Sequence, residues 1–435
     1  MIDKILKKID EGKNIFITGG AGTGKSYTLN KVIAYLKENH EKKIVAKTAM
    51  TGMASLQFED GGQTLHSLTG IGHHKNVNDL KSITDRYFFK TQKRFLLEEL
   101  DILIVDEISM LRSDTLELID ALFKYVMQSP RPFGGKQVIF CGDFMQLPPI
   151  VRKEDKLPDF WAFQSKVWKH LDFSVIYLTE VKRQDSKVFS NALNMVRAGV
   201  VNDAVDKFFY QSAKNKIPND VKSVKLLSTN EAVETLNREQ LSRISTPNQQ
   251  LYFPAEIWGM DEKLEDTIRR DSPGMEHLYL RPGCQVMILV NNPAGGYVNG
   301  SMGEFICRQT IETIDDDEVE VLKIRLFESD RIVMVPIYRW AIKVPQGEHD
   351  LILAYFKQFP VKLAYAITIH KSQGMSIDYL EVDLKKCFAD HMAYVALSRA
   401  KTYEGLRVVN WEPRSVKCNR DAFNFYMGLK NSGVI

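Results

Sequence analysis

Short apolar runs alternate with stretches whose apolar positions recur every three or four residues, and this alternation divides the first part of the chain into predicted elements. Ile2, Ile5, Leu6 and Ile9 share one helical face, which predicts an opening amphipathic helix that stops at Gly12. The run Ile15-Phe16-Ile17 predicts a short strand, and a helical pattern follows from about Ser26 to Leu36. Lys43 to Ala46 reads as a second strand leading into the small-residue segment TAMTGMAS, Thr48 to Ser55. Asp101 to Ser109, DILIVDEIS, has an apolar run ending in adjacent carboxylates, as a buried parallel strand does when it emerges at the ligand edge of its sheet. Gln137 to Phe140 repeats the strand signal and enters Cys141-Gly-Asp-Phe-Met-Gln-Leu-Pro-Pro149. Strand and helix alternating at this spacing predict an α/β fold with a parallel sheet.

The pattern resumes further on. Phe173 to Leu178, Lys225 to Leu227, Leu363 to Ile369 and Val382-Asp383 read as strands, and Val233 to Arg238 and Met392 to Ala400 as helices, which predicts a second α/β lobe. Within it, residues 303–344 change to β-formers alternating with polar residues and broken by Asp-rich turns, predicting a small antiparallel barrel or meander. Its Asp315 to Glu318 run reads as a solvated hairpin tip. The chain contains no evident internal repeat or low-complexity segment.

At 435 residues the chain is too long for one core, and 44% apolar content is enough to bury several. Lys and Arg exceed Asp and Glu by three, so whole-chain charge argues neither for nor against nucleic acid. The five cysteines are widely spaced, with no C-x-x-C pair, which fits a reducing interior. The charged start MIDKILKKID lacks a signal-type core and no run is long enough to span a bilayer, so the expectation is a soluble, cytoplasmic protein.

The chemistry centres on Gly19 to Ser26, GGAGTGKS, which matches the phosphate-binding loop in its required strand-to-helix context. Its glycines let successive N–H groups of Gly20, Ala21, Gly22, Thr23 and Gly24 face a triphosphate. Lys25 supplies a cation for the β- and γ-phosphates, and Ser26 a hydroxyl for Mg²⁺. A glycine-rich turn with an incidental lysine is the bland alternative, and the flanking strand and helix argue against it. Asp106 is placed to hold Mg²⁺ and Glu107 to accept a proton from attacking water, where the bland alternative is a solvated surface pair. Gln146 can sense the γ-phosphate or orient water. Arg183 and Arg399 are candidates for transition-state arginines supplied from the second lobe, although an arbitrary arginine is usually a solvated surface charge. RYFFKTQKRF, Arg86 to Phe95, mixes four aromatics with four cations, as base stacking on a single strand requires; an amphipathic helix explains it equally well. His73-His74 reads as a surface loop.

In order along the chain, GGAGTGKS, TAMTGMAS, TLHSLTG, LIVDEISM, GDFMQLPP, LTEVKRQ, AYAITIHKSQG and YVALSRA resemble the motif series of superfamily 1 helicases. Ser109 to Asp120 followed by Pro132 to Gln137 is most similar to the PIF family of DNA helicases, related to the RecD type. The resemblance covers nearly the whole chain. It implies two RecA-like domains with parallel sheets, the first over 1–60 and 101–158 and the second over 159–302 and 357–435. It also implies a small wedge insertion at 61–100 and an SH3-like β-barrel insertion at 303–356. ATP and Mg²⁺ are the implied cofactors. Lys25, Ser26, Asp106 and Glu107 take the roles above, and Gln146, Arg183, Gly374 and Arg399 contact or sense the γ-phosphate. Thr51, Gly52, Thr64, His66, Pro148, Thr368, His370, Lys371 and Ser372 line the path of single-stranded DNA.

The resemblance further implies 5′-to-3′ translocation driven by closure of the lobes around ATP, and unwinding of forked or tailed duplex DNA, with G-quadruplex DNA a candidate substrate. The implied protein is a monomer in isolation with no membrane partner, acting in DNA replication, repair or telomere maintenance. An RNA-directed helicase and a nucleotide-dependent clamp without processive unwinding are the competing readings. One departure stands out: the family's adenine-reading Gln lies upstream of the phosphate loop, at about Ile2 here, and no Gln precedes Gln57.

Overall fold

The computed structural model describes residues 2–55, 58, 62–72, 75–86, 93–151, 155–181, 186–218, 222–244, 249–292, 294–312, 318–327, 329–346 and 349–435. The chain forms two compact units: Met1–Lys216 with Ser376–Asp378 and Leu384–Ile435, and Ile217–Met375 with Tyr379–Asp383.

In the first unit the opening helix spans Ile2–Asp10 and buries Ile5 and Ile9, the face that the spacing predicts. Six strands follow: β1 (Ile15–Gly19), β2 (Val45–Ala49), β3 (Gln63–Thr64), β4 (Ile102–Asp106), β5 (Gln137–Gly142) and β6 (Ser174–Leu178). They pair in the order β3-β2-β4-β5-β1-β6, and every pairing is parallel. β1 and β4 are buried at every position, because a parallel sheet covered on both faces has no solvent side. Alternate residues serve opposite faces. Ile15, Ile17, Ile102 and Ile104 meet Leu29, Val32 and Leu36 of the helix Lys25–Asn39. Phe16, Leu103, Val105 and Phe140 face the helix Ser113–Met127 and an aromatic cluster that includes Phe144, Trp161 and Trp168. Truncating a ring such as Phe16 would cost about 3–5 kcal/mol, the usual toll of a large core cavity.

Two parts of this unit lie beyond the first lobe as read along the sequence. β6 joins the sheet beside β1, with Ile15 opposite Ser174 and Gly19 opposite Leu178. Periodicity identifies such a strand without saying which sheet it enters. The C-terminal helix Arg420–Asn431 is capped by Asn419, whose side chain accepts from the Asp421 and Ala422 N–H groups. It adds Ala422 and Tyr426 to the aromatic core, with Phe425 stacked 4.5 Å from Phe163.

The second unit contains β7 (Val224–Leu227), β8 (Leu251–Pro254), β9 (Glu256–Gly259), β10 (His277–Leu280), β11 (Gln285–Ile288), β12 (Met302–Glu312), β13 (Glu318–Leu326), β14 (Ile332–Pro336), β15 (Tyr338–Gln346), β16 (His349–Gln358), β17 (Val361–Leu363), β18 (Ala366–Thr368) and β19 (Leu380–Asp383). β7 pairs in parallel with β18 on one side and β19 on the other, which is the second parallel sheet that the α/β pattern predicts. From the alternating region, β12, β13 and β14 join β11 and β17, which lie outside it, in an antiparallel sheet of order β14-β13-β12-β11-β17, with a bulge between Phe305 and Cys307. β15-β16-β9 and β10-β8 complete the antiparallel part. The fold is therefore mixed α/β with two parallel sheets of RecA-like type. Among the described residues no helix is long and apolar enough to cross a membrane, no group of His, Cys, Asp and Glu forms a metal cluster, and all five cysteines are free thiols.

Candidate active site

Because all strands of the first sheet run one way, their C-terminal ends share one edge, and the chemistry-bearing residues gather there. Gly19 closes β1 at φ +155°, and a Cβ on it would sit 2.5 Å from the Leu178 carbonyl oxygen and 2.8 Å from Thr23 Oγ1. Gly24, at φ +83°, caps the helix Lys25–Asn39 in left-handed backbone that a side chain would strain. Lys25 Nζ donates to the carbonyls of Gly19 (3.0 Å) and Gly20 (2.9 Å), and Thr23 Oγ1 donates to Gly20 O (2.9 Å). The Ala21 N–H donates to Tyr394 Oη at 2.6 Å. Ser26 stands in the helix's first turn, where the backbone dipole favours anions. Beside the loop lies a cavity of about 330 Å³ whose walls include Ile2, Gly24, Tyr27 and Leu178.

Asp106 ends β4 and is 5% exposed; its Oδ1 accepts from the Glu107 N–H at 2.8 Å. Burial first, then the Glu107 charge, pushes its carboxyl up to about 6, while Lys25 pulls in the other direction. Glu107 has left-handed backbone, φ +53° and ψ +44°, which costs a non-glycine residue roughly 1–2 kcal/mol. Gly142 permits this turn, since a Cβ there would be 2.9 Å from Ile108 N. Cys141 beside them is inert: burial and the Asp106 charge push its thiol well above the ordinary range.

Gln146 is 3% exposed, and its buried Oε1 has no hydrogen-bond partner. An amide oxygen left so is costly unless something completes it, which suits a sensor of a bound group. Its N–H donates to Asp143 O at 2.9 Å. Asp143 carries no motif of its own that marks it in the sequence. It is fully buried and paired twice with Arg197, Nη2 to Oδ1 at 2.6 Å and Nε to Oδ2 at 3.1 Å. The Arg197 guanidinium lies 5.0 Å from the Tyr426 ring centre. The Tyr426 hydroxyl in turn shares a 2.6 Å hydrogen bond with Thr18 Oγ1 and accepts from the Phe144 N–H at 3.1 Å. A buried chain of contacts thus joins β1, the Gln146 loop, the helix Lys187–Arg197 and the C-terminal helix. The nearest sequence signal was the Asp three residues before Gln146; nothing local pointed to Arg197 or Tyr426.

Arg399 belongs to the first unit and is 2% exposed, with Nε donating to Val395 O and Nη2 to Ser398 Oγ, both at 2.9 Å. Arg183 lies outside the described residues, as do His73-His74, Asp315 to Asp317 and most of RYFFKTQKRF; Phe95, in the helix Arg94–Glu99, is exposed.

Of the residues expected on the DNA path, Thr51, Gly52, Thr64, His66 and Pro148 are in the first unit and Thr368, His370, Lys371 and Ser372 in the second, with Gly374 beside them at φ +82°. β2 and β3 pair through Ala49 and Thr64, which places the Thr51-Gly52 turn and Thr64 at the same edge as Asp106. Thr64 caps the helix Leu65–Thr69, which carries His66. Pro148 is half-buried beyond Gln146. Thr368 ends β18 and its Oγ1 accepts from the Lys371 N–H at 3.3 Å, Ser372 Oγ donates to Ile369 O at 2.7 Å, and burial holds His370 below the usual imidazole range.

Residues 1–207 match the family model described as PIF1-like helicase. The chain is 34% identical to the ATP-dependent DNA helicase Pif1 of Psychrobacter sp. over 95% of its own length and 68% of that relative. It spans about two thirds of the curated relatives it matches. The crystal structure of Pif1 helicase from Candida albicans matches with a TM-score of 0.87 at 31% identity, covering 98% of each chain. That of Bacteroides Pif1 bound to ssDNA matches with a TM-score of 0.77 at 29% identity, over 99% of this chain and 97% of the other. With these matches and a nucleotide-type sheet edge built from the same motifs, the chain belongs to the PIF1-like helicase family.

Proposed function

We propose that the chain hydrolyses ATP to move 5′ to 3′ along single-stranded DNA and to separate forked or tailed duplex DNA ahead of it. The observation that carries this reading is the gathering of Lys25, Asp106, Glu107 and Gln146 at one sheet edge, with Glu107 turned out by strained backbone. Relatives named as ATP-dependent DNA helicases, and one seen bound to ssDNA, support the substrate.

In this reading Lys25 exchanges the carbonyls of Gly19 and Gly20 for the β- and γ-phosphates. The loop's N–H groups and the helix N-terminus hold the rest of the triphosphate, and the base occupies the cavity beside Ile2 and Tyr27. A buried, raised carboxyl at Asp106 and the hydroxyl of Ser26 are hard oxygen donors that fit Mg²⁺; bound there, it would neutralise phosphate charge. Glu107 accepts the proton of the attacking water, Gln146 orients that water through its Oε1, and Arg183 and Arg399 stabilise the transition-state charge. Gly374 adds a backbone contact. Two grips on the strand alternate through the cycle, one from Thr51, Gly52, Thr64, His66 and Pro148, the other from Thr368, His370, Lys371 and Ser372.

Glu107→Gln should retain ATP binding and lose unwinding of a 5′-tailed duplex; unwinding that persists in this variant removes the hydrolytic assignment. With the unaltered chain, strand separation from a 3′-tailed rather than a 5′-tailed duplex would reverse the direction of travel.

A further inference from the structure

One amide of the phosphate loop is already engaged, by a side chain that no step above uses. The Ala21 N–H donates to Tyr394 Oη at 2.6 Å, and Tyr394 lies 373 positions further along, in the helix Met392–Leu397. Both residues belong to the first unit. The same hydroxyl stands 3.4 Å from the point where a Cβ on Gly20 would sit, so it packs against two successive residues of the loop. An N–H in this loop is suited to a phosphate oxygen. Here it meets a phenol. Burial first, then the Asp143 charge, push that phenol up to about 12, so at neutral pH it keeps its proton and carries no charge. A neutral oxygen is a weaker acceptor than a phosphate, and a bound triphosphate would take the amide from it.

The phenol proton is the anomaly. Tyr394 is 2% exposed, and among the described residues its Oη accepts from Ala21 while no acceptor takes its proton. A buried donor without an acceptor is destabilising until one arrives. A phosphate oxygen on the Ala21 amide supplies it, because that oxygen would stand where Oη now stands and within reach of the proton once the ring moves back by a hydrogen-bond length. The terminal phosphate is the one for this position. The N-terminus of the helix Lys25–Asn39 takes the inner phosphates, and Ala21, upstream of it, is left to the outer one. The segment also leads directly into Arg399. The Ser398 N–H donates to Tyr394 O at 3.0 Å, and the Arg399 guanidinium is held to Val395 O and Ser398 Oγ. Whatever displaces the tyrosine therefore acts on the segment that holds this arginine.

We propose that Tyr394 reads the terminal phosphate: its hydroxyl closes the Ala21 amide when no triphosphate is bound, and yields the amide and donates to a terminal-phosphate oxygen when one is. ADP lacks that phosphate and leaves the bond between Tyr394 and Ala21 in place. The inference rests on the ATP-hydrolysis reading and adds to it a residue that separates ATP from ADP. Within YVALSRA it gives the tyrosine a role beside that of Arg399.

The test uses the full chain with Mg²⁺ and compares ADP with the slowly hydrolysed ATPγS by isothermal titration calorimetry. Tyr394→Phe keeps the ring and removes only the hydroxyl. It should weaken ATPγS binding roughly tenfold, the loss of one hydrogen bond to a charged group, and change ADP binding by less than about twofold. Circular dichroism and thermal melting check that the variant is folded. A second measurement keeps the hydroxyl: fluorotyrosine introduced at Tyr394 alone should show one fluorine resonance position in the empty and ADP-bound chain and another with ATPγS. Equal losses for the two nucleotides in folded Tyr394→Phe, or no loss for either, would overturn the proposal and leave the contact to packing. So would a fluorine resonance that ATPγS leaves where ADP does. Failure of the unaltered chain to bind either nucleotide would instead remove the ATP-hydrolysis reading itself.

Discussion

Asp106 and Asp143 are both buried aspartates at the ends of neighbouring parallel strands, yet their chemistry is opposite. At Asp106 burial and the Glu107 charge prevail, and the carboxyl rises to about 6. At Asp143 burial would raise it too, but the Arg197 guanidinium outweighs that and holds it below the usual range. One carboxylate is held by an ion pair; the other is not. The difference is a single arginine from a distant helix, and it separates a carboxylate held in the framework from the one proposed above to work in the site. On the proposed reading, a buried carboxylate without an ion-pair partner marks the working residue, and a paired one marks framework.

The comparison can be broken most directly by exchanging the two situations. Arg197→Met leaves Asp143 buried without a partner and should cost about 3–5 kcal/mol in urea unfolding, whereas Arg197→Met with Asp143→Leu should recover much of it. Asp106→Asn should cost little stability or add some, because it removes an unpaired buried charge, while abolishing measurable ATP turnover. Comparable stability losses in Arg197→Met and Asp106→Asn would show that the pairing does not distinguish the two aspartates.

A smaller effect is expected at His391, which lies near Asp143 and Arg197. Its Nε2 accepts from the Asn419 N–H at 3.1 Å and its buried Nδ1 has no partner. Burial is the main cause that lowers its pKa from 6.5 to about 4, outweighing Asp143 and Asp390. The folded form therefore resists a proton that the unfolded chain accepts. Stability present above pH 6.5 is lost as pH falls through the window from 6.5 to about 4, to a total of about 3 kcal/mol. Urea midpoints across that window should fall for the unaltered chain and fall less steeply for His391→Gln. Smallest of the three, Tyr426→Phe strips the hydroxyl shared by Thr18 and the Phe144 N–H and should lower stability by about 1–3 kcal/mol. If the framework network does align Gln146, kcat for ATP should drop in that variant with little change in KM; an unchanged kcat would confine the network to stability.

Much of the site was legible because it depends on short-range geometry. The phosphate loop needs glycines, a lysine and a hydroxyl in consecutive positions between a strand and a helix, and all of these sit within GGAGTGKS. Asp106 and Glu107 were legible because a buried parallel strand must deliver its last residues to the ligand edge. The opening helix and the antiparallel character of residues 303–344 followed from periodicity alone. Sheet membership was less accessible. β6 carries the same apolar signature wherever it pairs, and only packing beside β1 gives it to the first sheet.

The sequence by itself determined the phosphate-loop motif, the two adjacent carboxylates at the end of β4, the α/β alternation and, through its motif series, the family, because each is written in adjacent residues or in a repeating period. Tertiary structure alone decided which buried aspartate would be paired. Asp143 and Arg197 are 54 positions apart and Tyr426 and Thr18 are 408 apart, and no local propensity encodes so distant a contact. It likewise decided the left-handed backbone at Glu107, which exists because Gly142, on the next strand, leaves room for it. Charge state at a buried position is set by whatever the fold brings within a few ångströms, and that is a property of the packed molecule.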